Sequence, residues 1–207
     1  MPNMKATINT VAVELFFRKG YFATSISEIA SRCGIQKASI YYHYPSKEAI
    51  LYHIQCTTMQ ELTAYLRRKL EGQLSLEARI QAAVRSHVGF HLHRQKETFI
   101  ANSELRGLTP EHYQHIVALR DEYEQIIQDI IREGCTQGLF VGGDFKILSY
   151  AVLTLCNAGA IWFKPEGRLP VDAIADIYAA FVLRGLKGGS MVEDASRTVL
   201  PAVGERR

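Results

Sequence analysis

A chain of 207 residues, 47% hydrophobic and 22% charged, can bury a sizeable core in one larger or two unequal domains, which excludes a disordered class. No run reaches the ~18 consecutive apolar residues of a spanning helix, and the opening MPNMKATINT has no apolar signal region, so a cytoplasmic protein without a membrane partner is expected. The formal net charge is only +3, but residues 1–50 hold six Lys or Arg against three Asp or Glu, so the whole excess sits in the first quarter, as a nucleic-acid partner there would favour.

In chain order, Met4 to Lys19 predicts a helix with Ile8, Val11, Ala12, Leu15 and Phe16 on one face, ended by Gly20. Ser25 followed three residues later by Glu28 is a capping box, so a second helix starts there, with Ile26, Ile29, Ala30 and Cys33 on its inner face. Gly34 closes that helix in the left-handed conformation and turns the chain, and Ile35 plugs the corner. The next helix, about Gln36 to Tyr44, has only Ala38 and Ile40 as small or aliphatic positions. Its remaining surface carries Gln36, Lys37, Ser39, Tyr41, Tyr42 and His43. That much hydrogen-bonding capacity on two turns fits a major groove, where base edges and phosphates supply partners. Ala30, Gly34, Ile35 and Ile40 together follow the helix-turn-helix pattern. Pro45 stops this helix, and Ser46 caps a long one from Lys47 to about Leu70.

The stretch FFRKGYFATSISEIASRCGIQKASIYYHYPSKEAIL resembles the DNA-binding signature of the TetR family of transcriptional regulators. The likeness runs through Phe16, Gly20, Tyr21, Thr24, Ile29, Ala30, Gly34, Tyr41, Tyr42, His43, Ser46, Lys47 and Glu48, and covers roughly residues 8–54. Tyr44 stands where phenylalanine is usual. The resemblance implies that Lys37, Ser39, Tyr41, Tyr42 and His43 face double-stranded DNA, that Ser25 and Ser27 touch phosphate, and that Lys47 clamps the DNA backbone.

Beyond residue 70 the pattern is helix after helix: Leu76 to His93, Lys96 to Leu105, Pro110 to Gln137, Phe145 to Phe163 and Val171 to Lys187, with Gly or Pro between most of them. Thr109 and Pro110 form a helix entry, and Gly134 and Gly138 mark its exit. The expected fold is all-α: an N-terminal three-helix DNA-binding domain over 1–50, a C-terminal helical bundle for ligand binding and dimerisation over 51–187, and a loose tail over 188–207. Leu148, Val152, Leu155, Gly159 and Trp162, with Ile174, Ile177, Tyr178, Phe181, Val182 and Leu186, form wide apolar stripes. Two such helices suit a four-helix bundle between the subunits of a homodimer.

Candidate chemistry is sparse. His87 and His91 stand one helical turn apart and could share a zinc ion, but no glutamate lies between them in the metalloprotease pattern, and pocket-lining histidines are the simpler reading. His112 and His115 read as surface positions. Cys33, Cys56, Cys135 and Cys156 have no metal or redox spacing. There is no nucleophile elbow and no glycine-rich phosphate loop, so no enzyme and no cofactor are expected.

SELRGLTPEHYQHIVALRDEYEQIIQDIIREGCTQGLF and WFKPEGRLPVDAIADIYAAFVLRGL are similar to acyl-CoA-responsive TetR regulators. On that likeness the small-molecule effector is an acyl-CoA. An acyl chain would suit a bundle interior lined by Phe90, Phe99, Tyr123, Ile127, Leu155 and Trp162, with Arg106, Arg120, Lys164 and Arg168 near helix ends to meet phosphates. The combined expectation is a homodimeric repressor released from a palindromic operator by an effector. Two other classes are a DNA-organising or protein-interaction protein, which would have no internal cavity, and a helical metal enzyme, which would bind metal at His87 and His91.

Overall fold

The computed structural model describes residues 4–72 and 75–188; of the expected loose tail, everything after Gly188 lies outside the described residues. All regular structure among them is helical: α1 (Met4–Lys19), α2 (Ile26–Cys33), α3 (Lys37–His43), α4 (Lys47–Lys69), α5 (Leu76–His93), α6 (Gln95–Ser103), a 3-10 turn (Leu105–Gly107), α7 (Pro110–Thr136), α8 (Phe145–Asn157), α9 (Gly159–Trp162) and α10 (Val171–Lys187).

The helix starts are set by local chemistry. The Ser25 hydroxyl accepts from the Glu28 N–H at 3.1 Å, and Ser46 and Ser75 do the same for Ala49 and Ala78. Thr109 caps α7 ahead of Pro110. Gly34 adopts φ 67°, and the Ile35 N–H reaches the Ala30 carbonyl at 3.0 Å, so the α2–α3 turn is closed by a left-handed glycine with an apolar residue behind it.

Two hydrophobic cores result. The smaller gathers α1, α2, α3 and the first half of α4 around Ile8, Phe16, Ile29, Ile40 and Leu51, and it also takes Ile100 from α6. The larger joins the second half of α4 to α5, α7, α8 and α10 around Leu66, Ile80, Val88, Ile130 and Ala179. The α4 helix therefore contributes to both, and α10 packs mainly along α5.

Three details differ from the sequence expectation. The stretch read as one helix from Phe145 to Phe163 breaks at Ala158, where Gly159 starts a separate turn close to Leu92 and Tyr178. Gly134 is not an exit but a seat inside α7: a Cβ there would come within 2.0 Å of the Phe140 ring, so only glycine lets that ring close over the helix. Last, the wide apolar stripes of α8 and α10 are two-sided. Val152, Ile174, Val182 and Leu186 are buried, whereas Ile147, Leu155, Ile161, Trp162, Ile177 and Phe181 lie exposed. The segment Phe145–Trp162 is apolar enough over 18 residues, at mean hydropathy 1.3, to cross a bilayer by length and composition. Its apolar character comes from serving the core on one side while carrying this outer patch on the other.

Candidate nucleic-acid interface and effector cavity

The α3 helix is anchored by Ile40 alone, which is fully buried, and its other side chains are left outside. Lys37, Ser39, Tyr41 and Tyr42 are exposed and His43 is half-buried. Tyr42 is 87% exposed and touches the His43 ring edge-on at 5.1 Å. Ser25 and Ser27 are exposed at the start of α2. These seven residues thus lie at the surface of one small unit. Lys47, expected to clamp DNA, instead turns its ammonium inward. It donates to the Tyr21 carbonyl at 2.9 Å and the Thr24 carbonyl at 2.8 Å and lies over the Tyr21 ring. Burial holds its pKa below the usual lysine value, against an opposing pull from Glu104.

In the larger unit a cavity of about 200 Å³ opens between α4, α5, α7 and α8. Met59, Leu62 and Leu153 give it apolar walls. Its floor is polar: the His87 and His91 rings stack with centroids 4.0 Å apart. Asn157 Oδ1 sits 3.0 Å from His87 Nε2, and the Tyr123 hydroxyl sits 2.8 Å from His87 Nδ1. An amide oxygen can only accept, so His87 carries its proton on Nε2 and Tyr123 donates to Nδ1. His91 Nδ1 donates to the His87 carbonyl at 2.9 Å. Burial lowers both imidazoles, His91 to about 4, and pushes the Tyr123 hydroxyl up. The histidine pair is therefore neutral and pocket-lining.

Arg120 reaches this cavity from α7, the turn before Tyr123, and its Nη2 donates to the Ala101 carbonyl. Its location differs from the expectation of a phosphate contact near a helix end, because Ile116, Arg120, Tyr123 and Ile127 share one inward face of α7. Ile127 is buried in the larger core, Phe90 is half-buried against it, and Arg106 is exposed in the 3-10 turn. Leu155 and Trp162, expected inside the bundle, are 37% and 52% exposed on the outer patch. Phe99 lines a second, more open and largely apolar groove of about 460 Å³ together with Ala158, Ala160 and Ile161. Asn102, Thr154 and Asn157 border both spaces, so groove and cavity adjoin. Sequence reasoning missed Asn102, Thr154 and Asn157, because polar residues on half-exposed helix faces carry no pattern that separates a cavity rim from a solvated surface.

The α6 helix ties the two units together within six residues. Phe99 meets Phe17 edge-on at 5.3 Å, Ile100 is buried in the smaller core, Ala101 holds Arg120, and Asn102 faces the cavity. Glu104 then accepts from the Tyr21 N–H at 3.2 Å. A second tie joins α7 to α4. Glu48 Oε1 lies 2.7 Å from His112 Nδ1, His112 stacks on Tyr52 at 3.7 Å, and the Tyr52 hydroxyl reaches His115 Nδ1 at 2.7 Å. His112 and His115 are thus seam residues between the units.

A surface helix held by one core residue, after a left-handed glycine turn, is the helix-turn-helix of a DNA-binding transcriptional regulator. Residues 8–54 match the family described as bacterial regulatory proteins, tetR family, and residues 73–186 match the tetracyclin repressor-like C-terminal domain. The chain belongs to the TetR family. It is 26% identical over 178 residues to the HTH-type transcriptional repressor KstR2 of Rhodococcus jostii, covering 85% of this chain and 87% of that one. Among solved structures it resembles the TetR family regulator PfmR of Thermus thermophilus at 31% identity and TM-score 0.80, over 87% of this chain and 99% of that one. It also resembles AibR, in complex with isovaleryl coenzyme A and operator DNA, at 27% identity and TM-score 0.79, over 86% and 97%.

Proposed function

We propose that this protein is a cytoplasmic, homodimeric repressor, not an enzyme, that leaves a palindromic operator when an acyl-CoA enters the cavity beside α6. The observation that carries the reading is α6 itself. Ile100 belongs to the DNA-binding core, while the neighbouring Ala101 and Asn102 belong to the cavity, so a ligand that moves α6 moves the headpiece. That AibR holds isovaleryl coenzyme A supports the effector class. An apolar groove leading to a compact cavity suits an acyl group, with Lys164 and Arg168 exposed on the following loop for the phosphates. The presence of a cavity also speaks against a purely DNA-organising protein.

Within this reading the exposed α3 side chains enter the major groove, Ser25 and Ser27 meet phosphates, and the patch of Leu155, Trp162, Ile177 and Phe181 pairs with its copy in a second subunit. A dimer must set its two α3 helices about 34–36 Å apart to reach successive major grooves, so a shift of α6 and α4 that changes this spacing releases DNA. The test is to select bound sequences from random duplex DNA, then follow gel shifts with and without a panel of acyl-CoAs and the matching free acids. Release by a thioester but not by its acid is the expected result. Equal action of the free acids, or release by neither, would overturn the acyl-CoA effector.

A further inference from the structure

The charge in the cavity is unusual for a chamber meant for hydrocarbon. Arg120 forms no ion pair among the described residues, its Nε is buried without a hydrogen-bond partner, and its one hydrogen bond goes to the neutral Ala101 carbonyl. Glu124 lines the same cavity one turn away, but its carboxylate is held by the Gln128 amide. Arg120 as a whole is half-buried, but a guanidinium N–H withdrawn from water and left unused is costly unless something arrives to satisfy it. His87 cannot do so, since it is bonded at both nitrogens, and His91, whose Nε2 is left as an acceptor once Nδ1 donates to the His87 carbonyl, makes no hydrogen bond to Arg120 Nε. Met59, Leu62 and Leu153 offer no acceptor at all.

We propose that the end of the effector lodged in this cavity bears an oxygen acceptor, a keto oxygen or a carboxylate, and that Arg120 is the residue that reads it. The inference rests on the cavity being the effector site and narrows the class of acyl group it takes. A plain alkyl chain would leave the Arg120 Nε–H unpaired against hydrocarbon, whereas an oxygen acceptor completes the guanidinium and competes with the Ala101 carbonyl for it. Because Ala101 directly follows Ile100 of the DNA-binding core, that competition acts on α6 at the point where the two units meet.

The experiment is calorimetry on the full-length protein with hexanoyl-CoA, 5-oxohexanoyl-CoA and adipoyl-CoA, which share a six-carbon chain and differ at its far end, and with the three free acids. At least one oxygen-bearing thioester should bind the wild type about tenfold or more tightly than hexanoyl-CoA, as a hydrogen bond to a charged donor warrants. The keto and dicarboxylic members tell the two oxygen types apart. In Arg120→Met the advantage should vanish while hexanoyl-CoA binding persists, and Arg120→Gln serves if the methionine variant does not fold. Equal affinity of the three thioesters for the wild type overturns the proposal, as does a preference that survives both substitutions or an absence of binding by every oxygen-bearing compound. The free acids test only the coenzyme A, because hexanoic acid ends in a carboxylate of its own. Acids that bind as tightly as their thioesters remove the coenzyme A from the broader reading, while the comparison among the thioesters decides the role of Arg120.

Discussion

The ammonium of Lys47 lies 4.2 Å from the centroid of the Tyr21 ring and bonds two carbonyls, of Tyr21 and Thr24, in the turn between α1 and α2. It is therefore a brace for the turn that presents α2. Lys47→Met should lower thermal stability by roughly 1–3 kcal/mol, because half-buried carbonyls lose a charged donor. The salt dependence of operator binding should stay as it is, whereas removal of a phosphate-binding cation would flatten its slope by about one. A flattened slope with unchanged stability would return Lys47 to the DNA surface.

The stacked histidines make stability depend on pH. His91 is lowered to about 4 and His87 well below its ordinary value, both chiefly by burial, with the neighbouring imidazole adding to the effect at His87. An unfolded histidine titrates near about 6.5. Between those values the unfolded chain binds more protons, so the stabilisation is fully present above about pH 6.5 and drains away as pH falls towards 4. The His91 share is roughly 3 kcal/mol over that window. Thermal unfolding measured from pH 7.5 to 4.5 should show the decline, and His91→Leu should flatten it. A midpoint independent of pH in the wild type would mean that the rings are open to water.

Much of this architecture is legible in the sequence because local chemistry decides it. Ser25, Ser46 and Thr109 announce their helices, Gly34 announces the turn, and the α5 and α10 boundaries follow from apolar periodicity between breakers. What the sequence leaves undecided depends on long-range packing. Leu155 and Val152 occupy the same stripe in one dimension, yet one faces solvent and the other the core. Lys47 reads as a free cation until Tyr21 and Thr24, more than twenty residues earlier, are brought beneath it. Arg120 is the instructive case: its register with Ile116, Tyr123 and Ile127 already turns it inward, a signal that its charge obscures.

The outer patch provides a separable test of assembly. Phe181 is 66% exposed, and with Leu155, Ile177 and Tyr178 it lines a small apolar cleft. Phe181→Glu should leave the monomer fold intact, since this ring takes no part in the core, and convert a dimer to a monomer in sedimentation at micromolar concentration. A buried interfacial carboxylate without a partner costs several kcal/mol, more than enough to dissociate a moderately tight dimer. Operator affinity should fall with it, because one half-site supplies only part of the binding energy. A wild type that sediments as a monomer, or a variant that remains a dimer, would move the interface elsewhere.

Tyr42 separates recognition from folding most cleanly. It is 87% exposed and its ring meets the His43 ring edge-on, so Tyr42→Ala should change stability by no more than about 0.5 kcal/mol, the usual range for a surface site. If its ring and hydroxyl meet bases and phosphates, the same change should weaken operator binding by about 1–3 kcal/mol per half-site, and twice that for a symmetric dimer. Lys37→Ala provides the electrostatic counterpart: affinity should fall similarly across sequences, with the salt slope reduced by about one for each phosphate left without its cation. Gel shifts over a salt series, with sedimentation to show that both variants still dimerise, make the comparison. Wild-type operator affinity in both would place the DNA-reading surface outside α3.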